Sequence, residues 1–176
     1  MSERSETSLE MDDPAAAGEG TSRAEELGLE CVGMTDVGQA RDHNEDDFYL
    51  SEGEEALCIV ADGMGGHRSG EVASAMAIKT MVEYYRETMP EEGLNGRSLG
   101  TGRDGEEEVD LDERRLEQAV HAANAAVFEA AEENEVYHGM GTTIVSGYFT
   151  YRGVYLAHIG DSRAYRFRGG EMEQRT

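Results

Sequence analysis

Three short segments of the chain set carboxylates where a turn could hold them. RDHNEDD (41–47) offers four acids behind one arginine. IVADGMGGHRSGE (59–71) places Asp62 after an apolar run and follows it with Gly63, Gly65, Gly66 and Gly70. In GDSR (160–163), Asp161 follows the apolar alternation of Tyr155 to Ile159. Glycines at 63, 65 and 66 permit positive φ and close backbone approach, so a carboxylate and a backbone carbonyl can converge on one ligand. A hard cation takes such oxygens; Mg2+ accepts one or two carboxylates and retains several waters. Arg41, four residues before Glu45 and five before Asp46, adds a planar donor pair matched to two phosphate oxygens. Taken together the segments point to a metal-dependent phosphate site. Singly, each has a plainer meaning: a strand-to-helix turn capped by Asp62, a solvated charged loop, and an ordinary turn aspartate.

Other glycine-rich sites fail on spacing. Gly65 and Gly70 are separated as in a Walker A loop, but Glu71-Val72 stand where Lys and Ser/Thr are required. A dinucleotide fingerprint fails at Arg68, and an acid at the start of the following helix would repel a pyrophosphate. His67 lies on the same glycine arc, where an imidazole could donate a proton to a leaving alkoxide; a helix cap or a solvent-facing histidine is the equal alternative. His43, His121, His138 and His158 have no mutual metal-ligand spacing and are read as structural. Cys31 and Cys58 form no C-x-x-C and lie in no C-x5-R loop, which argues against a zinc ribbon, a disulfide framework and a nucleophilic cysteine and for free thiols in a reducing cytosol.

The elements that would carry these residues follow from periodicity. LECVGMTDVG predicts a short strand near Leu27 to Cys31 that ends in a turn. FYLSEGEEALCIVADG predicts two strands joined at Glu52-Gly53-Glu54, with Ala56 to Ala61 apolar enough for burial on both faces. Ala75, Ile78, Val82, Tyr85 and Met89 make one stripe of a helix that Pro90 ends. A second helix opens at Asp110 with Glu113, an acidic variant of the capping box, and buries Leu116, Val120, Ala123, Val127 and Ala130. TTIVSGYFTY and VYLAHIGDSRAYRFR predict strands with Tyr151-Arg152-Gly153 as a hairpin turn, and Gly169-Gly170-Glu171 opens another. Strands, two helices, then strands predict an α+β fold with helices on antiparallel sheets. The last strand is left with no visible partner before the chain stops at EMEQRT, as in an incomplete domain.

Composition narrows the function. The 176 residues suit one domain, and 38 acids against 15 Lys and Arg give a net charge of -23, which repels nucleic acid. Residues 1–30 hold nine acids and two arginines, and residues 90–112 hold eight and two, so these stretches supply -13 of that charge. Residues 1–27 are read as a disordered acidic tail ahead of a domain over 28–176, with a flexible acidic insertion at about 91–108. No signal peptide or apolar run of membrane-spanning length is visible, so the expected location is cytoplasmic, with no membrane contact.

Four segments, GMTDVGQARDHNEDDFYL, CIVADGMGGHRSGEVAS, GMGTTIVSG and AHIGDSRAYRFRGG, occur in this order over residues 32–172. They resemble the metal-dependent Ser/Thr protein phosphatases (protein phosphatase type 2C), in particular the bacterial branch. The resemblance implies a four-layer α-β-β-α sandwich of antiparallel sheets flanked by helices, here incomplete at the C-terminus. It implies a Mn2+ or Mg2+ cluster and hydrolysis of phosphoserine and phosphothreonine in proteins, a Ser/Thr kinase among them, by a metal-activated water. By the same likeness Asp62 is shared by two metals and the Gly63 carbonyl serves one of them. Glu45 and Asp46 serve the cluster directly or through water, Arg41 holds the substrate phosphate, and Asp161 is the ligand of a third metal. His67 matches the histidine of DGMGGH. The family's later D-G and D-N turns, which complete the two-metal site, do not occur here, and the alternative is a catalytically inactive, truncated module that binds phosphorylated or kinase partners.

Overall fold

The computed structural model describes residues 28–51, 55–65, 69–88 and 110–176. The predicted tail, the turn at 52–54, His67, Met89, Pro90 and the predicted insertion lie outside the described residues.

Strand β1 (Asp46–Leu50) pairs antiparallel with β2 (Ala56–Met64), Asp46 opposite Asp62 and Leu50 opposite Cys58. The short β3 (Gly141–Thr142) pairs with Gly63 and Met64 at the far end of β2. Strand β4 (Ile144–Thr150) takes the remaining edge of β2, and β5 (Gly153–Ile159) pairs with β4 through the turn at Tyr151-Arg152. The sheet order is β1-β2-β4-β5. The predicted run from Val154 to Arg168 divides at Gly160–Ala164, so that β6 (Tyr165–Arg168) and β7 (Glu171–Gln174) form a separate two-stranded sheet. The last predicted strand therefore has a partner: EMEQ is itself extended, and Gly169 and Gly170 turn the chain at φ +61° and +87°.

Both long helices cover the same face of the sheet. Helix α1 (Ser69–Glu87) packs on β1 and β2, and α2 (Leu111–Glu133) packs on α1 and β5. Alternation along β2 follows from this one-sided cover. Ile59 is fully buried beneath the helices, whereas Val60 is 48% exposed on the opposite face. Burial of Ala56 to Ala61 on both faces is thus not observed. Val154 and Leu156 are exposed as well, and their register with Phe149 and Gly147 puts them on the same open face as Val60.

Part of that face is crossed by the segment before β1. A Cβ at Gly33 would lie 2.3 Å from the Phe48 ring, and the Cys31 thiol is 3.8 Å from the Ser51 carbonyl oxygen. Of the strand predicted near Leu27 to Cys31, the described residues 28–31 form no strand, because this segment lies over side chains and adds to no ladder edge.

Helix α1 buries Ala73, Ala77, Ile78, Met81, Val82 and Tyr85, while Ala75 is exposed. Ile78, Val82 and Tyr85 are buried as the predicted stripe requires, but the buried face is wider and includes Ser74, polar in sequence and 1% exposed, whose hydroxyl donates to the Glu45 carbonyl at 2.7 Å. In α2 the Asp110 side chain accepts from the Asp112 N–H, and Leu116, Val120, Ala123 and Val127 are buried as the periodicity requires. At its end Ala131 is buried and Ala130 half-buried.

Candidate metal and phosphate site

The cross-strand pair Asp46–Asp62 lies where β1 begins and β2 nears its end. Directly opposed residues in an antiparallel ladder hold their Cβ atoms roughly 4.5–5.5 Å apart, so the two carboxylates share one small volume. The Asp46 carboxyl is held above the usual carboxylate range. Burial contributes most, then the charge of Asp62 and a hydrogen bond with it, then Glu45, while Arg41 pulls the other way. Like charges set this close are what a cation would relieve.

Glu45 is fixed next to this pair from several sides. Its carboxylate accepts from Arg41 Nη1 at 3.1 Å, with the Glu45 side chain 13% and the Arg41 side chain 73% exposed. Its carbonyl accepts from the Gly63 N–H at 3.0 Å and from the Ser74 hydroxyl. A Cβ on Gly63 would fall 2.1 Å from the Gly70 carbonyl oxygen and 2.5 Å from that of Glu45; one on Gly70 would fall 2.5 Å from Glu45 Oε1. Glycine is needed here because β1, β2 and the first turn of α1 approach too closely for any side chain. Positive φ, expected of Gly63 and Gly65, is found at neither. Gly63 and Met64 lie within β2 because β3 extends the ladder past Asp62.

Thr143 joins the third acidic segment to the first two. Its N–H donates to the Asp62 carbonyl at 2.9 Å, its hydroxyl accepts from the Asp62 N–H at 3.1 Å, and the same hydroxyl shares a 2.7 Å hydrogen bond with Ser162. Gly160 has φ +93°, and a Cβ there would sit 2.7 Å from Thr143 Cγ2. Arg163 Nη1 closes the turn by donating to the carbonyls of Gly160 and Ser162. Asp161 is exposed on a loop docked to the strand end that carries Asp62.

The structure therefore brings Asp46 to Asp62 and Arg41 to Glu45, and ties the Asp161 turn to Asp62 through Thr143. Among the described residues no three His, Cys, Asp or Glu side chains form a compact metal-holding group. His67 lies outside the described residues. Sequence reasoning passed over Thr143, Ser162, Ser74 and Gly70 as site residues. GMGTT and GDSR contain two of them, and a serine inside an apolar helical stripe was a signal for the third.

Comparison with known proteins decides the family. The sequence model described as Protein phosphatase 2C matches residues 38–175. The chain belongs to that family. A protein phosphatase 2C relative, the serine/threonine phosphatase stp of Listeria innocua, is 35% identical over 144 residues, 81% of this chain and 51% of the relative. The serine/threonine protein phosphatase PstP of Mycobacterium tuberculosis is 35% identical over 150 residues, 85% of this chain and 25% of that protein. The crystal structure of M. tuberculosis PstP/Ppp superposes with a TM-score of 0.59 at 34% identity, covering 79% of this chain and 50% of that one. A PstP catalytic domain in complex with two manganese ions gives 0.58 at 35% identity, covering 79% and 51%. The chain spans about half the length of the Listeria relative. The α+β fold with an antiparallel sheet and two helices is the one these phosphatase structures share.

Proposed function

We propose that the protein takes part in metal-dependent hydrolysis of phosphoserine and phosphothreonine in proteins, with Asp46 and Asp62 holding Mn2+ or Mg2+. The observation that carries this is the Asp46–Asp62 pair on facing strands, with an arginine one turn away, in a chain of the protein phosphatase 2C family. The donor set fits a hard divalent cation: acidic oxygens, and a carboxyl raised first by burial and then by the neighbouring like charges. Glu45, the Gly63 carbonyl and Asp161 would complete the oxygen set with water. When bound, the cations supply charge neutralisation at phosphate oxygens and Lewis acidity toward water.

The chain's own residues do the rest. Arg41 uses one terminal nitrogen on Glu45, and its exposed guanidinium presents further N–H donors to the oxygens of a phosphate monoester. Glu45 holds that arginine beside the acidic pair, and Thr143 with Ser162 holds the Asp161 turn. His67, on the glycine arc, would protonate the leaving serine or threonine oxygen. The exposed apolar row Val60, Val154 and Leu156 supports the four-layer arrangement, since it is the face a second sheet would cover. Phosphorylated Ser/Thr proteins, a Ser/Thr kinase among them, are the proposed partners in the cytoplasm. No described helix is long and apolar enough to cross a membrane.

The test is phosphate release from a phosphothreonine peptide at graded Mn2+. Release that rises with Mn2+, stops on chelation and gains a higher KM in Arg41→Ala supports the proposal; release indifferent to chelator removes metal from it.

A further inference from the structure

Cys31 and Cys58 are 27 positions apart in sequence, yet their sulfurs lie 3.7 Å from each other. Cys58 is on the open face of β2, four residues before Asp62, and Cys31 is on the segment that crosses that face. Both thiols are free and half-buried. A disulfide needs the sulfurs at about 2.05 Å, a gap to be closed by side-chain rotation with a shift of the Cys31 segment, which belongs to no ladder.

We propose that Cys31 and Cys58 are a reversible modification site, an intrachain disulfide formed by a hydroperoxide and reopened by a dithiol, that staples the segment before β1 onto the sheet. The Cys31 thiolate attacks a peroxide oxygen, the O–O bond breaks, and the departing hydroxide leaves as water once protonated; Cys31 becomes a sulfenic acid. The Cys58 sulfur then attacks the Cys31 sulfur. The S–S bond forms, the sulfenic hydroxyl departs, and the Cys58 proton makes it a second water. Two thiols lose two protons and two electrons, and hydrogen peroxide becomes two waters.

The geometry assigns the order. Cys58 is held within β2 whereas Cys31 lies on a segment outside every ladder, so Cys31 meets the peroxide and Cys58 is the resolving partner; burial, together with the hydrogen bond and charge of Cys31, pushes the Cys58 thiol up to about 12, in the same sense. The staple would close Arg41, Glu45 and Asp46 into one loop. The inference stands apart from the phosphatase proposal, since it concerns only where two sulfurs lie.

The purified, metal-free protein is treated with hydrogen peroxide, alkylated and cut with trypsin, which cleaves after Arg41 and so separates the cysteines. The expected product is one linked peptide pair within a single chain, two hydrogens lighter than its parts and lost on treatment with dithiothreitol. Cys31→Ser should leave Cys58 open to alkylation after the same treatment. Full alkylation of both cysteines, a linkage between two chains, or arrest at a sulfinic acid would each overturn the proposal.

Discussion

The two ends of the sheet treat charge in opposite ways. At the Leu50–Thr150 end, Arg115 lies 3.8 Å from Asp112 with both side chains almost wholly buried, and its guanidinium carbon sits 4.6 Å from the centre of the Tyr85 ring. Tyr85 meets Tyr148 edge-on at 5.1 Å, the Tyr148 hydroxyl donates to Glu55, and the Tyr155 hydroxyl donates to Asp110 at 2.7 Å. Arg115 and Arg152 there offset the acids Asp112, Glu55 and Asp110, and Arg115 lies over aromatic faces. At the other end Asp46 and Asp62 are set against each other across β1 and β2, next to Gly63 and Gly70, where a Cβ would run into Glu45 and the facing backbone. One end sets cations beside its buried acids; the other holds two carboxylates together with Arg41 on the neighbouring Glu45, a cost that a bound cation would relieve.

The comparison can be broken from either end. Arg115→Ala would leave Asp112 buried without its cation; Asp112 is already pushed up by burial and by Glu55 and Asp110. We expect a loss of about 3 kcal/mol in denaturant unfolding with Mn2+ affinity unchanged, and a matching fall in affinity would show that the ends are not separable. Gly63→Ala drives a Cβ into two backbone oxygens and should cost about 2 kcal/mol as overpacking, lowering Mn2+ affinity as well when both are measured by calorimetry. Thr143→Val removes the hydroxyl shared by Asp62 and Ser162 for about 1 kcal/mol, and hydrogen exchange should quicken in the 160–163 turn while α2 is untouched.

The smallest effect is one of pH. Burial would raise Asp110, but the Tyr155 hydroxyl, the N–H groups of Asp112 and Glu113, and Arg152 outweigh it and leave the carboxyl below its usual value. A depressed acid stabilises the fold above its unfolded pKa, and that contribution is lost as pH falls through the lower folded value. Tyr155→Phe should therefore narrow the stability difference between pH 6 and the acid limb, followed by thermal melts across pH.

The elements carrying strong periodicity were legible before the structure. In α2 the positions Leu116, Val120, Ala123 and Val127 and the Asp110 cap agree with the packing, because apolar period and cap are local signals, whereas the burial of Asp112 and Arg115 in the same helix was not legible. In α1 Ile78, Val82 and Tyr85 agree with the packing, but the burial of Gly70 and Ser74 against Glu45, a partner no local pattern reveals, was not legible. The three acidic segments were each visible, but the register that sets Asp46 opposite Asp62 was not, since it depends on how far each strand runs. Thr143 was not legible as a link, since its partners at Asp62 and Ser162 come from different strands and turns. The open face of β2 was likewise hidden: a continuous apolar run reads as buried on both sides whether or not a second layer covers it.

The central claim is that Asp46 and Asp62 are held in mutual repulsion for a divalent cation. A thermal melt of the wild type and Asp62→Asn, with and without Mn2+, tests it most directly. The account predicts that Mn2+ raises the melting temperature of the wild type, and that Asp62→Asn melts no lower than the metal-free wild type while losing the response to Mn2+. An equal Mn2+ shift in both proteins, or a metal-free Asp62→Asn that melts well below the wild type, would contradict it.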